Sequence, residues 1–121
     1  MRSKPFVILF LSTLLSFFLT INLNAQIPNS GTYTYKYCDE EYNKCLGNCK
    51  IKIEGDKIWI YAPANLSGTK EGDLFESGTL FKHASGKWII IHAEAEKKAK
   101  TIGGGEGPPW IDFNMKQFWT F

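Results

Sequence analysis

Histidine occurs only twice, at His83 and His92, and cysteine only three times, all between residues 38 and 49 of this 121-residue chain. A haem-attachment pair followed by histidine is therefore absent. The gaps of six and three residues separating Cys38, Cys45 and Cys49 match no zinc-site spacing, so no metal and no cofactor is expected. Surplus charge is missing too. The formal net charge of +2 belongs to Arg2 and Lys4, the only charged residues among the first 25, so residues 26–121 are neutral. With Lys and Glu interleaved, they offer no electrostatic pull toward nucleic acid or an anionic membrane surface.

What is present begins with an export signal. Arg2 and Lys4 precede an apolar run from Phe6 to about Leu23, and Ala25 stands just before the first polar stretch. This is the layout of a secretory signal peptide over residues 1–25, ahead of a single small β domain over 26–121. The rival reading is an uncleaved anchor, since the run approaches the roughly 20 residues that cross a bilayer. Ser12, Thr13, Ser16 and Thr20 dilute it, and Leu23 stands where a small residue is preferred before a cut. The expectation is a secreted or periplasmic domain with no stable membrane insertion after cleavage.

The domain reads as strands. Tyr33, Tyr35 and Tyr37 alternate with Thr32, Thr34 and Lys36, the period of a half-buried strand. In "CKIKIEGDKIWIY" two alternating runs flank Gly55 and Asp56, a two-residue hairpin turn because Gly adopts positive φ without penalty. That turn sets Ile53 opposite Ile58 and Ile51 opposite Ile60, with Lys50, Lys52, Trp59 and Tyr61 on the other face. "APANLSGTKEG" reads as a connection, and its Asn65-Leu66-Ser67 triplet is a glycosylation acceptor only in a eukaryotic secretory route. "DLFESGTLFKHASGKWIIIHA" predicts a second hairpin with a bulge at Gly78 and a turn at Ser85 and Gly86. His92 then lies opposite Thr79, with Leu80, Ile89 and Ile91 on one face and Phe81, Trp88 and Ile90 on the other. Both faces are apolar, so something must pack outside this pair.

"EAEKKAK" has Glu94 and Glu96 each four residues before a lysine, the order that favours a short α-helix; a solvated strand end is the alternative. "IGGGEGPPW" lacks the Lys-Ser/Thr of a phosphate loop and leads to a strand, so it reads as a mobile connection stiffened by Pro108 and Pro109. In "WIDFNMKQFWTF", Ile111, Phe113 and Met115 alternate with polar residues, and a kink near Lys116 and Gln117 divides two short strands. The sum is an all-β fold, a small antiparallel meander of six to eight strands forming a barrel or half-barrel. The terminal Phe121 looks like the closing strand of an outer-membrane barrel, but eight membrane-crossing strands would consume nearly the whole domain.

In an exporting route one disulfide among three thiols is expected. Strand parity puts Cys49 on the isoleucine face and Cys38 opposite the tyrosine face, so those two point to opposite sides of the sheet. The expected pair is Cys38 with Cys45, leaving Cys49 as a buried small hydrophobe. Lys44 and Lys50 adjoin Cys45 and Cys49, yet no general base accompanies them for nucleophilic chemistry. The two histidines fall about 13 to 14 Å apart along the sheet, too far to share a metal or relay a proton.

Gly31, Thr32 and Tyr33, opening the first strand, resemble the start of lipocalin-like proteins, with a glycine and an aromatic two residues on. The likeness covers three residues, carries Tyr where Trp is usual, and implies only a lipocalin-like outline for the barrel. Four Trp, five Tyr and five Phe after residue 25 supply more aromatic area than a core this small requires. The leading expectation is a non-catalytic module binding a small apolar or aromatic-stacking ligand in a barrel mouth or on a sheet face, through Trp59, Tyr61, Trp88 and Trp110. The alternatives are an interaction or inhibitor module meeting an envelope protein through a sheet edge or Trp patch, and a small hydrolase with no nameable catalytic set.

Overall fold

Residues 26–121 are described by a computed structural model, and the expected signal peptide with its helix lies outside them. They form an all-β closed barrel of seven strands: β1 Gly31–Asp39, β2 Lys44–Glu54, β3 Lys57–Tyr61, β4 Leu74–Lys82, β5 Trp88–Ile91, β6 Trp110–Asp112 and β7 Gln117–Thr120. Each strand runs antiparallel to the next, as a meander of hairpins requires. An odd number of alternating strands leaves the first and last pointing the same way. The barrel therefore closes through a parallel pair, Lys36–Asp39 on β1 against Gln117–Thr120 on β7.

The interior follows from alternation. Ile53 faces Ile58 and Ile51 faces Ile60, and all four are fully buried. Each such side chain stabilises the fold by roughly 1.5–3 kcal/mol relative to leaving it in water. Tyr35, Tyr37, Cys49, Leu80, Ile90, Ile111, Phe113 and Phe118 complete this core. Edge-on and tilted ring contacts order it: Tyr37, Phe75 and Phe118 lie 5.5 to 6.2 Å apart by ring centroid. The barrel axis is thus occupied by side chains.

The cysteine segment is an extension of the β1–β2 hairpin around a turn at residues 40–43. Asp39 Oδ1 accepts the Glu41 N–H and Asn43 takes a φ of 52°, which make the reversal. Leu46 is an extra residue on β2, a bulge between the pairs Tyr37–Gly47 and Cys38–Cys45. That bulge brings Cys45 opposite Cys38, and the two form a disulfide. Closing so short a loop is worth about 2–3 kcal/mol on the chain-entropy account. Cys49 is buried and unpaired in the core, where burial pushes its thiol up to about 11.

The second hairpin departs from expectation. Its turn spans five residues, closed by the His83 N–H to the Lys87 carbonyl and the Gly86 N–H to the His83 carbonyl, so Thr79 meets Ile91 and not His92. The one-residue shift moves Leu80 to the inner face with Ile90, while Phe81, Ile89 and Ile91 face outward. The covering layer that two apolar faces demanded is the chain between β5 and β6. Lys97 Nζ lies 5.1 Å from the Phe81 ring centroid, His83 Nε2 donates to the Ala99 carbonyl, and the Ile90 N–H donates to the Pro109 carbonyl. Glu94–Lys98 is a 3₁₀ turn and not an α-helix, so its ion pair joins residues three apart, Glu94 and Lys97, at 3.0 Å.

Two further details differ. The bulge in β4 is at Phe75, between the pairs Ile60–Glu76 and Tyr61–Leu74, and Gly78 pairs regularly with Ile58. Met115 lies 63% exposed in the turn between β6 and β7, out of the alternation that buries Ile111 and Phe113. Gly78 is required for another reason: a Cβ there would stand 2.6 Å from the Ile91 carbonyl oxygen and 2.8 Å from Ile90 Cγ2. Gly78→Ala is expected to lower stability by about 1–3 kcal/mol, through overpacking against backbone that cannot retreat. An unchanged urea midpoint for that variant would contradict the close approach.

Candidate functional site

The four aromatic residues expected to bind a ligand do not converge. Trp59 and Tyr61 stand on the outer face of β3, opposite the isoleucines. Lys52 Nζ lies 5.3 Å from the Trp59 ring centroid, and Tyr61 lines a cleft of about 420 Å³ with Asn48, Lys50, Ala62, Glu71 and Gly72. Trp88 turns inward and packs edge-on against Phe113, with ring centroids 5.9 Å apart. Trp110 is on the outer wall of β6, three strands from β3.

Trp110 has a partner that the sequence reading missed. Trp119 lies directly opposite it on β7, and the two indoles stack with centroids 5.8 Å apart and planes 6° from parallel. The turn between them is tight because Asp112 Oδ1 accepts the N–H groups of Asn114 and Met115 while Lys116 takes a φ of 55°. Pairing the two strands about that turn was the available signal, since it sets the tryptophans face to face. Lys87 Nζ sits 4.1 Å from the Trp110 centroid, an arrangement worth about 0.5–1 kcal/mol at an exposed site. Trp119 Nε1 donates to Gln117 Oε1 at 3.2 Å.

Two clefts meet at this stack. One, of about 360 Å³, is lined by Glu40, Asn43, Lys87, Trp110 and Trp119. The other, of about 170 Å³, shares Lys87 and Trp110 and adds Trp88, Asp112 and Asn114. The first is bounded by the β1–β2 turn, which is held in place by the Glu40 N–H donating to the Thr120 carbonyl. Glu40 Oε2 accepts the Gly104 N–H at 2.8 Å, whereas Oε1 is buried with no partner. The glycine-rich segment, expected as a mobile connection, is therefore a folded loop. Its own ties are the Gly103 N–H to the Pro108 carbonyl and the Gly107 N–H to the Gly103 carbonyl. A side chain at Gly107 would collide with the backbone of Thr101 and Gly103, which accounts for glycine there without any phosphate.

The histidines sit elsewhere. His83 Nδ1 accepts the Ser85 N–H at 3.1 Å and Nε2 lies 2.8 Å from the Ala99 carbonyl, which assigns the Nε2–H tautomer. This ring ties the outer segment to the second hairpin. His92 Nε2 lies 2.6 Å from Glu76 Oε1, and Glu96 Oε1 accepts the backbone N–H groups of His92 and Ala93. Partial burial pulls the His92 pKa down, but the hydrogen bond and charge of Glu76, with smaller help from Ser77 and Glu96, carry it above its ordinary value. Among the described residues no three His, Cys, Asp or Glu side chains are grouped to hold a metal ion. Comparison with protein-family models, curated proteins and solved structures finds no match to this chain.

His92 is expected to titrate above 6.5, with Glu76→Gln returning it toward that value, as read from ring-proton NMR shifts against pH. Because the folded-state pKa is raised, the stabilisation from this contact is complete below pH 6.5 and is lost as pH rises through the raised value. With the His92 side chain 54% exposed the contribution is small, and a midpoint at or below the ordinary value would contradict the pairing.

Proposed function

We propose that this chain is an exported, non-catalytic binding module that holds a ring-bearing ligand against the Trp110–Trp119 stack on the outer wall of the barrel. One observation carries the reading. Ile89, Trp110, Trp119 and Cys38 are consecutive partners across four strands of the outer face, and Ile89 and Cys38 at the two ends are completely buried. The indoles between them stay partly open to a cleft of about 360 Å³. A fold that covers the apolar neighbours on both sides leaves these two rings facing water, the disposition of a binding surface. The ligand's place is this wall and not the barrel mouth, because core side chains occupy the axis. Export is supported by the Cys38–Cys45 disulfide, which persists in oxidising compartments.

The interaction-module alternative draws on a different feature. β2 pairs with β3 only over Ile51–Glu54, so among the described residues its stretch at 44–50 has one edge without a strand neighbour, next to the exposed Tyr42 and Leu46. An envelope protein could add a strand there. The hydrolase reading draws the least support, since both histidines already hold structural partners.

Binding of prodan, a neutral naphthalene dye, tests the leading reading through its emission and that of tryptophan. Trp119→Ala is expected to weaken binding roughly tenfold, about 1.4 kcal/mol, while Trp59→Ala leaves it within about twofold. Equal losses in the two variants, or no binding by prodan or any other ring-bearing probe, would contradict it.

A further inference from the structure

We infer that the ligand of the tryptophan groove is a neutral saccharide chain; this rests on the reading of the Trp110–Trp119 stack as the binding surface. The two clefts share Lys87 and Trp110, so they form one groove running from the β1–β2 turn to the end of β5. That path crosses β7 and β6, three interstrand steps or roughly 14 Å, longer than a single six-membered ring.

The charges of the groove decide the class of ligand. Glu40 lines one end and Asp112 the other, with Lys87 between them. An anionic ligand would meet the Asp112 carboxylate at one end and the negative charge of Glu40 behind the other, against one ammonium group. A cationic ligand would seek the face of Trp110, and Lys87 already lies over that ring at 4.1 Å. A purely apolar ligand would strip water from Lys87 and Asp112 and return nothing to them. A neutral ligand rich in hydroxyls escapes all three objections.

The polar groups that remain open suit hydroxyls. Asn43 and Asn114 are exposed and their carboxamides make no hydrogen bond among the described residues, and each offers both donors and an acceptor. Lys87 adds donors, and Asp112 has a second carboxylate oxygen beyond the one that holds the turn. Hydroxyls donate and accept, so a ring carrying several can satisfy carboxamide, ammonium and carboxylate together. The C–H faces of such a ring are apolar and pack on an indole. Glu40 adds its charge but no contact of its own, because Oε2 is engaged by the Gly104 N–H and Oε1 is buried.

The test is titration of the protein with the neutral hexasaccharides of cellulose, starch and chitin, with hexagalacturonate as the anionic control and prodan as the non-saccharide control. Calorimetry and tryptophan emission read the binding. At least one neutral hexasaccharide is expected to bind, with Trp119→Ala weakening it roughly tenfold. The exposed substitutions Asn43→Gly, which keeps the positive φ of the β1–β2 turn, and Asn114→Ala are expected to weaken the saccharide several-fold and prodan not at all. If prodan binds in a Trp119-dependent way and no neutral hexasaccharide does, the saccharide inference fails while the stacking surface stands. If neither binds, both fail. Tighter binding of hexagalacturonate than of the neutral chains would overturn the charge argument, and saccharide binding unaffected by Asn43→Gly and Asn114→Ala would overturn the assignment of the groove.

Discussion

Closure of the barrel between β1 and β7 is the constraint on which the rest of the molecule depends. Seven alternating strands can close only through a parallel pair, and that pair sets two contacts at once. Tyr37 beside Phe118 joins the two ends of the chain inside the barrel, while Cys38 beside Trp119 joins them outside. The backbone reinforces the seam, with the Lys36 N–H donating to the Lys116 carbonyl and the Glu40 N–H to the Thr120 carbonyl. Were β7 to stay open, Phe118 would lose its aromatic neighbours and Trp119 would stand apart from the β1–β2 turn that bounds the groove.

The protein packs in two layers with different chemistry. Inside, branched aliphatic and aromatic side chains fill the axis, and unpaired polar groups are kept out of it: no polar residue is fully buried among those described. Outside, the wall of β4 and β5 is apolar and is covered by the chain from residue 92 to 109. That cover is held by polar ties to backbone, from His83, Glu96 and Glu40, and by Lys97 over Phe81. The cover stops short of Trp110 and Trp119. The groove is thus a part of the outer apolar wall that the molecule does not roof over.

Much of this is legible in the sequence. The Gly55–Asp56 turn and the isoleucine alternation defined one hairpin to the residue, because a two-residue turn admits a single register. Parity of side chains sorted the cysteines correctly, although the bulge at Leu46 that makes the Cys38–Cys45 pair possible left no mark in the sequence. The β4–β5 register was not legible: a five-residue turn and a two-residue turn fit "KHASGK" equally, and the choice shifts every facing pair by one. Gly78 looked like a bulge because its real reason is a distant carbonyl on β5. The outward position of Trp110 follows from its strand, but its stacking on Trp119 emerges only from the strand pairing across the Asn114 turn. Trp59 and Tyr61 belong to a different side of the barrel, which composition alone cannot reveal.

The seam is tested most directly by amide hydrogen exchange joined to interstrand nuclear Overhauser contacts. The account expects slow exchange at the Lys36 and Glu40 amides and close proton contacts linking Tyr37 with Phe118 and Cys38 with Trp119 in parallel register. Fast exchange across residues 36–40 and 117–120, or contacts placing β7 antiparallel to β1, would contradict it.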